Sequence, residues 1–577
     1  MMILGINAYH GDAAACLIKD GEIIAACEEE RLRRIKHCAG FPILAIRSCL
    51  AQTGTKPESI DCVAISRDPK ANLSKKILYA IKQSSKISNL IKSRFENAGR
   101  IINVKSELTR ALSLSQPLQV KVHQTEHHLA HMASCFYPSP FDRAAILSID
   151  GFGDFVSTKW GWGEGRELKS LGQVNFPHSA GILYTALTQY LGFPNYGDEY
   201  KVMALAAYGK PRYKNELKEM ISLDSKNGFR LNLDFFVHHR NGVEMNWKDG
   251  YPNLSACYSR KFIEAFGPPR LPDEPLEPHH QDLAASLQKK FEDVYFHILN
   301  ELHKKTQTEN LCLAGGCAFN SVANGKIKDH TPFKHMFIQP AAGDAGTALG
   351  AGLYLYHSVL KNPRRFRMEH AYLGPQFEPQ SVKRALDQAN LQYQELNGEK
   401  LIPQVARSIS EGKIVGWFQG RMEFGPRALG NRSLLADPRR KEMREWLNEK
   451  IKLREDFRPF APSVPSEEVG IYFETEELDP FMTRVFKIKK EKQSLIPAVT
   501  HVDGTGRLQA VERKTNPKFW SLLQEFKKLT GVPVLLNTSF NENEPIVCTP
   551  EEAINCFVRS GMDALAIENF WVERKQN

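Results

Sequence analysis

The sequence has no CxxC pair, and its 11 cysteines are scattered and odd in number, which argues against a disulfide framework or a cysteine zinc site. A reducing compartment fits that usage. There is no basic start and no long apolar run before His10 and Asp12, so neither a signal peptide nor a membrane anchor is expected, and the protein is placed in the cytoplasm. Charge of one sign is scarce too: a net +10 over 577 residues suits anionic substrates such as nucleotides without requiring nucleic acid. Hydrophobic residues at 42% and charged residues at 25% leave no room for a mainly disordered or collagen-like chain. The length rules out a single small binding module and predicts two or more cores.

What is present begins with a strand at Met2–Ile6, a polar turn with His10, Gly11 and Asp12, and a second strand at Ala13–Ile18. Asp20-Gly21 turns the chain into a third strand, Glu22–Ala26. A weaker copy starts at Ala144: strand Ala144–Ile149, the turn Asp150-Gly151-Phe152-Gly153-Asp154, strand Phe155–Trp160, then Glu167–Leu171. Superposing the copies puts Asn7 with Asp150 and Asp12 near Asp154. The pattern predicts a duplicated α/β lobe with a cleft where the acidic turns meet. Residues 69–110 hold Lys75, Lys76, Lys82, Lys86, Lys92, Arg94 and Arg100 among Ile and Leu at helical spacing and read as a solvated basic insert. Residues 210–280 read as a second insert. The pattern breaks near Asn362-Pro363-Arg364-Arg365, which sets a boundary between domains at 1–365 and 366–577.

Three clusters carry chemistry. In Thr125-Glu126-His127-His128-Leu129-Ala130-His131, Thr125 is a candidate N-cap, and His127 and His131 at i and i+4 share one helical face while His128 points elsewhere. With Asp150 they give the two-His-and-carboxylate pattern of a catalytic iron or zinc site, against the plainer alternative of core or surface histidines. The second cluster is a pair of Gly-rich turns, Gly315-Gly316 leading to Asn320 and Asn324, and Gly343-Asp344 leading into a helix of small residues. Such turns let backbone approach an anion at a helix N-terminus, and the pair fits a nucleotide-and-metal cleft. The third sets Arg427, Arg432, Lys452, Arg454, Arg458 and Arg507 among Gly, Pro and Phe, with His501 nearby and Asn537, Ser539 and Asn541 ending an apolar strand. Guanidinium forks in such settings suit phosphate and carboxylate groups.

In their order along the chain, AYHGDAAACL, EEERLRRIKH, HHLAH, SIDGFGD, FPHSAGILYTALTQYLGF, DEYKVMALAAYG, LAGGCAFNSVANG, GDAGTALGAG, FGPRALGNRS, KLREDFRPFAP and LNTSFNENEPIV resemble the NodU/CmcH family of O-carbamoyltransferases over nearly the whole length. The resemblance implies a first domain of the actin-like, sugar-kinase-like ATPase (ASKHA) fold and a YrdC-like α/β second domain. It implies that the second domain makes carbamoyl-adenylate from carbamoyl phosphate and ATP, and that the first transfers the carbamoyl group to an acceptor hydroxyl. His127, His131, Asp150 and Asp344 would hold a divalent metal, with iron expected and manganese, magnesium and zinc as alternatives. Gly315, Gly316, Asn320, Asn324 and Gly343 would line nucleotide in the first domain. The family's K-x-R and S-x-N elements fall on Lys452/Arg454 and Ser539/Asn541, which would grip phosphates and nucleotide with Arg427, Arg432 and Arg507. Arg458, His501 and Asn537 join that set.

The chain departs from the family pattern where Gly11 follows His10 and the acid comes one place later, at Asp12. His10 and Asp12 are the candidate bases, and Lys36 a charge-stabilising group. An acceptor that is a small molecule or saccharide would meet Tyr184, Tyr190, Asp198, Glu199 and Lys201. Nucleic acid is not expected as a partner, and a homodimer is one candidate assembly. Two other readings share parts of the pattern: an actin-like ATP-binding regulator or chaperone, and a tRNA threonylcarbamoyl transferase.

Overall fold

The computed structural model describes residues 1–82, 103–226, 228–241, 245–248 and 250–574. Lys86, Lys92, Arg94 and Arg100 of the basic insert lie outside the described residues. The chain divides into two compact α/β units, Met1–Met368 and Glu369–Asn577.

In the first unit β1 (Met2–Asn7), β2 (Ala14–Lys19) and β3 (Glu22–Glu28) form an antiparallel meander. β4 (Cys62–Ile65) and β5 (Lys121–Gln124) add to it in parallel, giving the order β3-β2-β1-β4-β5. β1 and β2 are buried on both faces, which is why they read as continuous apolar runs rather than alternating ones. A second sheet repeats the order. β6 (Arg143–Gly153), β7 (Val156–Glu164) and β8 (Glu167–Asn175) are its meander, and the strands Asn310–Ala314 and His335–Ile338 run parallel to β6. β6 runs on past Ile149 because Gly153 pairs again with Val156 beyond an irregularity, and Asp150 stands in that break.

Two helices join the sheets. His127–Phe136 follows β5 and packs on β6, while Ala345–Tyr354 follows the His335–Ile338 strand and packs on β1 and β2. They meet so closely that a Cβ on Gly350 would lie 1.8 Å from the Ala130 carbonyl oxygen. That approach sets the depth of both helices. The 210–280 region carries short elements, among them the helices Lys214–Met220 and Arg260–Phe266 and a hairpin of Ile221–Asp224 with Gly228–Leu231.

The second unit is built on an eight-stranded mixed sheet whose centre is Ala564–Ile567, Val415–Phe418, Arg432–Ala436 and Leu535–Ser539. Adjacent residues serve opposite cores. Phe418, Leu434 and Leu536 meet Val382, Ile554 and Ile567 on one face; Trp417, Leu435 and Leu535 meet Val405, Phe519 and Trp571 on the other.

Candidate active centres

The turn after β1 is shaped by Asn7, whose amide donates to the carbonyls of Gly11 (2.9 Å) and Asp12 (3.0 Å). Glu126, not Thr125, caps the histidine helix: its carboxylate accepts from the Leu129 N–H at 2.8 Å and pairs with Lys159 at 2.6 Å. The Thr125 N–H donates to the Ile65 carbonyl and so extends the β5–β4 pairing, which delays the helix by one residue. Asp154 accepts from the His127 N–H at 3.0 Å, placing a carboxylate at the positive end of the helix.

On that helix the Nε2 atoms of His127 and His131 meet at 3.1 Å. Asp150 Oδ2 lies 3.3 Å from the first and 3.2 Å from the second, and Asp344 Oδ1 lies 3.5 Å from each. Four residues from three elements thus bring ligand atoms within 4.8 Å of one another. Both histidines are fully buried, and their Nδ1 atoms have no hydrogen-bond partner, so Nε2 is the edge on which these rings meet polar groups. Two Nε2 atoms this close cannot both carry hydrogens toward each other, whereas one cation between them accepts both lone pairs and both carboxylates. The donor set fits a first-row divalent metal. Burial works against ionised Asp150, yet the two histidines hold its carboxyl well below the usual range; burial also works against ionised Asp344, which His10 and His127 hold low. Asp150 Oδ1 accepts from the Gly316 N–H at 3.1 Å. Gly315 reaches that turn at φ +90, where a Cβ would meet the Ile149 carbonyl at 2.2 Å.

His10 sits beside this centre. Its Nδ1 is hydrogen-bonded to Asp344 Oδ2 and its Nε2 faces the Phe152 carbonyl at 3.2 Å. Asp12 Oδ2 lies 3.8 Å from where a Gly343 Cβ would be. Lys36 is exposed, and its charge acts on Glu30, while the side chain paired with Asp12 is the next one along, His37, at 2.7 Å. Tyr196 also enters: its hydroxyl would lie 2.8 Å from a Cβ on Gly11, so it fills the space a side chain there would need. His128 turns away, bonded to Ser148 Oγ and the Val156 carbonyl.

Several expected ligand contacts are taken up inside the fold. Asn320 caps the helix Ser321–Gly325 and exchanges hydrogen bonds with Gln288, and fully buried Asn324 bridges Tyr295 and the Ala318 carbonyl, so these amides brace the Gly315 turn instead of facing nucleotide. The Tyr184 and Tyr190 hydroxyls donate inward to Gln288 and Gly267. Asp198 pairs with Lys201 at 3.1 Å and Glu199 accepts from Thr185 at 2.6 Å.

In the second unit the loop before the Arg432–Ala436 strand folds around Glu423, one carboxylate oxygen of which accepts the N–H groups of Leu429, Asn431 and Arg432. Arg432 is fully buried; its fork donates to the carbonyls of Gln419, Asn431, Pro375 and Gly420 and stacks 3.6 Å over Phe418, so it fastens the loop and does not reach phosphate. Buried Lys452 donates to the Ser539 carbonyl, the Asn541 carbonyl (2.8 Å) and Asn541 Oδ1 (2.7 Å). The K-x-R and S-x-N elements therefore meet directly, with Lys452 as their bridge. Asn537 is likewise enclosed, donating to Ser463 Oγ and Gln509 Oε1. Four guanidinium groups remain together: burial disfavours charge on Arg507, and Arg427, Arg454 and Arg458 press on it further. Its Nε is buried without a hydrogen-bond partner; burial, together with Arg507, pushes the His501 pKa down to about 4. An anion bound here would offset that repulsion.

The chain thus joins a duplicated α/β unit with a two-His, two-Asp centre to an α/β unit holding crowded arginines. Residues 2–353 match the carbamoyltransferase N-terminus family and residues 406–574 the carbamoyltransferase C-terminus family. The chain belongs to the NodU/CmcH family of carbamoyltransferases. It is 41% identical over 602 residues to an uncharacterized protein of Synechocystis sp., covering 98% of this chain and 96% of that one. It is 37% identical over 582 residues to nodulation protein NolNO of Sinorhizobium fredii, covering 99% and 80%. Over 267 residues, 46% of this chain and 49% of the other, it is 33% identical to 3′-hydroxymethylcephem-O-carbamoyltransferase of Amycolatopsis lactamdurans. Among the described residues no helix is long and apolar enough to cross a membrane.

Proposed function

We propose that the chain is an ATP- and metal-dependent O-carbamoyltransferase that works in two stages, with a small-molecule or saccharide hydroxyl as acceptor in natural-product tailoring. The Glu369–Asn577 unit, read as YrdC-like, converts carbamoyl phosphate and ATP to carbamoyl-adenylate. Water hydrolyses carbamoyl phosphate to carbamate and phosphate, the carbamate oxygen attacks the α-phosphorus of ATP, and pyrophosphate leaves. Arg427, Arg454, Arg458 and Arg507 offset the charge that develops on the phosphates. The reason for adenylation is electronic: a carbamoyl carbon conjugated to nitrogen is a poor electrophile, and AMP is a good leaving group.

The Met1–Met368 unit, read as actin-like, transfers the carbamoyl group to the acceptor. His127, His131, Asp150 and Asp344 would hold the divalent metal, iron by family resemblance, which supplies Lewis-acid polarisation of an oxygen. Gly315, Gly316 and Gly343 would let backbone approach the nucleotide, and His10 and Asp12 are the candidate bases for the acceptor proton. The observation that carries the reading is the convergence of the two histidines and two aspartates beside His10 and Asp12.

With ATP, carbamoyl phosphate and a divalent metal but no acceptor, the purified protein is expected to release pyrophosphate and form carbamoyl-adenylate. Arg427→Ala should abolish this, and His131→Ala should retain it while losing Fe(II) or Mn(II) binding in a metal titration. ATP turned to ADP whether or not carbamoyl phosphate is present would overturn the reading in favour of an actin-like ATPase.

A further inference from the structure

Two groups near the centre are candidates to take the acceptor proton, and the geometry separates them. Both ring nitrogens of His10 already face oxygens, Asp344 Oδ2 on one side and the Phe152 carbonyl on the other. Asp12 is held by one oxygen only among these contacts: Oδ1 accepts from His37 Nδ1 at 2.7 Å, and Oδ2 lies 3.8 Å from where a Cβ on Gly343, the residue before Asp344, would be.

His37 is itself fixed from several directions. Its backbone N–H donates to Glu30 Oε2 at 2.7 Å, and Glu30 is held in turn by Arg31 at 2.8 Å, which bonds Glu28 at 2.9 Å. Its ring meets Tyr196 edge-on with centroids 5.2 Å apart. Its Nε2 edge takes the space left open by Gly197, where an added Cβ would come within 2.3 Å. Asp12 and His37 are both partly exposed, so neither is simply a core residue. Burial opposes charge on His37, but Asp12, Glu30 and Glu199 outweigh it and raise its pKa to about 9, so Nδ1 is a standing donor.

We propose that His37 is a positioning residue that grips Asp12 Oδ1 and leaves Oδ2 aimed at the acceptor hydroxyl as its base. The inference rests on the carbamoyl-transfer reading above and names the part of it that belongs to this pair. In the step, Asp12 Oδ2 takes the hydroxyl proton as the acceptor oxygen bonds to the carbamoyl carbon. The bond from that carbon to the adenylate phosphate oxygen breaks, AMP leaves with the electron pair, and Asp12 later returns the proton to water.

The test compares two nucleophiles in the full-length protein loaded with ATP, carbamoyl phosphate and metal. Glycerol needs a base to lose its proton; neutral hydroxylamine attacks without one. His37→Ala should lower the kcat for glycerol carbamate by about a hundredfold, the size of a lost general base, while hydroxyurea formation and pyrophosphate release stay within about twofold of wild type. His37→Asn, which keeps a donor near the Nδ1 position, should recover glycerol transfer to within about tenfold. Equal losses with both nucleophiles, or no loss with glycerol, would overturn the positioning role. The carbamoyl-transfer reading fails separately, when wild-type protein yields no carbamoyl product from either nucleophile.

Discussion

Arg427 and Arg432 share one Gly-rich loop and have opposite surroundings. Arg432 donates to four carbonyls, three of them buried, and stacks over Phe418, whereas Arg427 adds to the positive charge around Arg507. Arg432→Ala is therefore expected to cost about 3 kcal/mol or more, because it strands buried acceptors. Arg427→Ala should stay within about 1 kcal/mol of wild type, since it relieves like-charge repulsion, yet stop pyrophosphate release. Urea midpoints beside the pyrophosphate assay check both, and a reversal of the two patterns would show the roles exchanged. Residue chemistry in the sequence marks both as arginines fit for phosphate. It cannot say which one the fold encloses, because an irregular loop has no period from which burial can be read. His37 follows Lys36 in the motif RRIKH, and local order does not say which of the two side chains meets Asp12.

The element that most constrains the metal-type centre is the pair of packed helices, not any ligand. Gly350 lets the Ala345–Tyr354 helix come against Ala130, one residue before His131, and Asp344 stands at the N-terminus of the same helix. Gly350→Ala should destabilise the fold by about 1–3 kcal/mol through overpacking. It should also weaken Mn(II) binding by about tenfold, as misplaced ligand supports do, although every ligand is intact. Calorimetric titration of the variant checks this; unchanged affinity would mean that helix spacing does not set the ligand positions. Elements themselves were largely readable. Apolar runs and the Asp20-Gly21 turn outline β1 to β3, and the i, i+4 histidines define a helix face. The start of that helix was not, since β5 extends through Thr125 by a pairing with β4 that is remote in sequence.

At the scale of the whole molecule, two units with separate cores carry two separate constellations. Hydrogen exchange should reflect that division. Mn(II) is expected to slow exchange in peptides covering 127–136 and 339–350, and ATP with carbamoyl phosphate in peptides covering 421–433, 450–460 and 501–509, as ligands protect the local openings they bind. Protection by Mn(II) confined to the second set would place the metal elsewhere. The sequence by itself determined the family, the repeated strand pattern and the types of residue available at each motif, because these depend on local order and on period. Only the tertiary structure decided that His37 meets Asp12, and that Arg432, Lys452, Asn324 and Asn537 face inward. Contacts between segments far apart are set by sheet order and helix packing, and local periodicity carries no record of either.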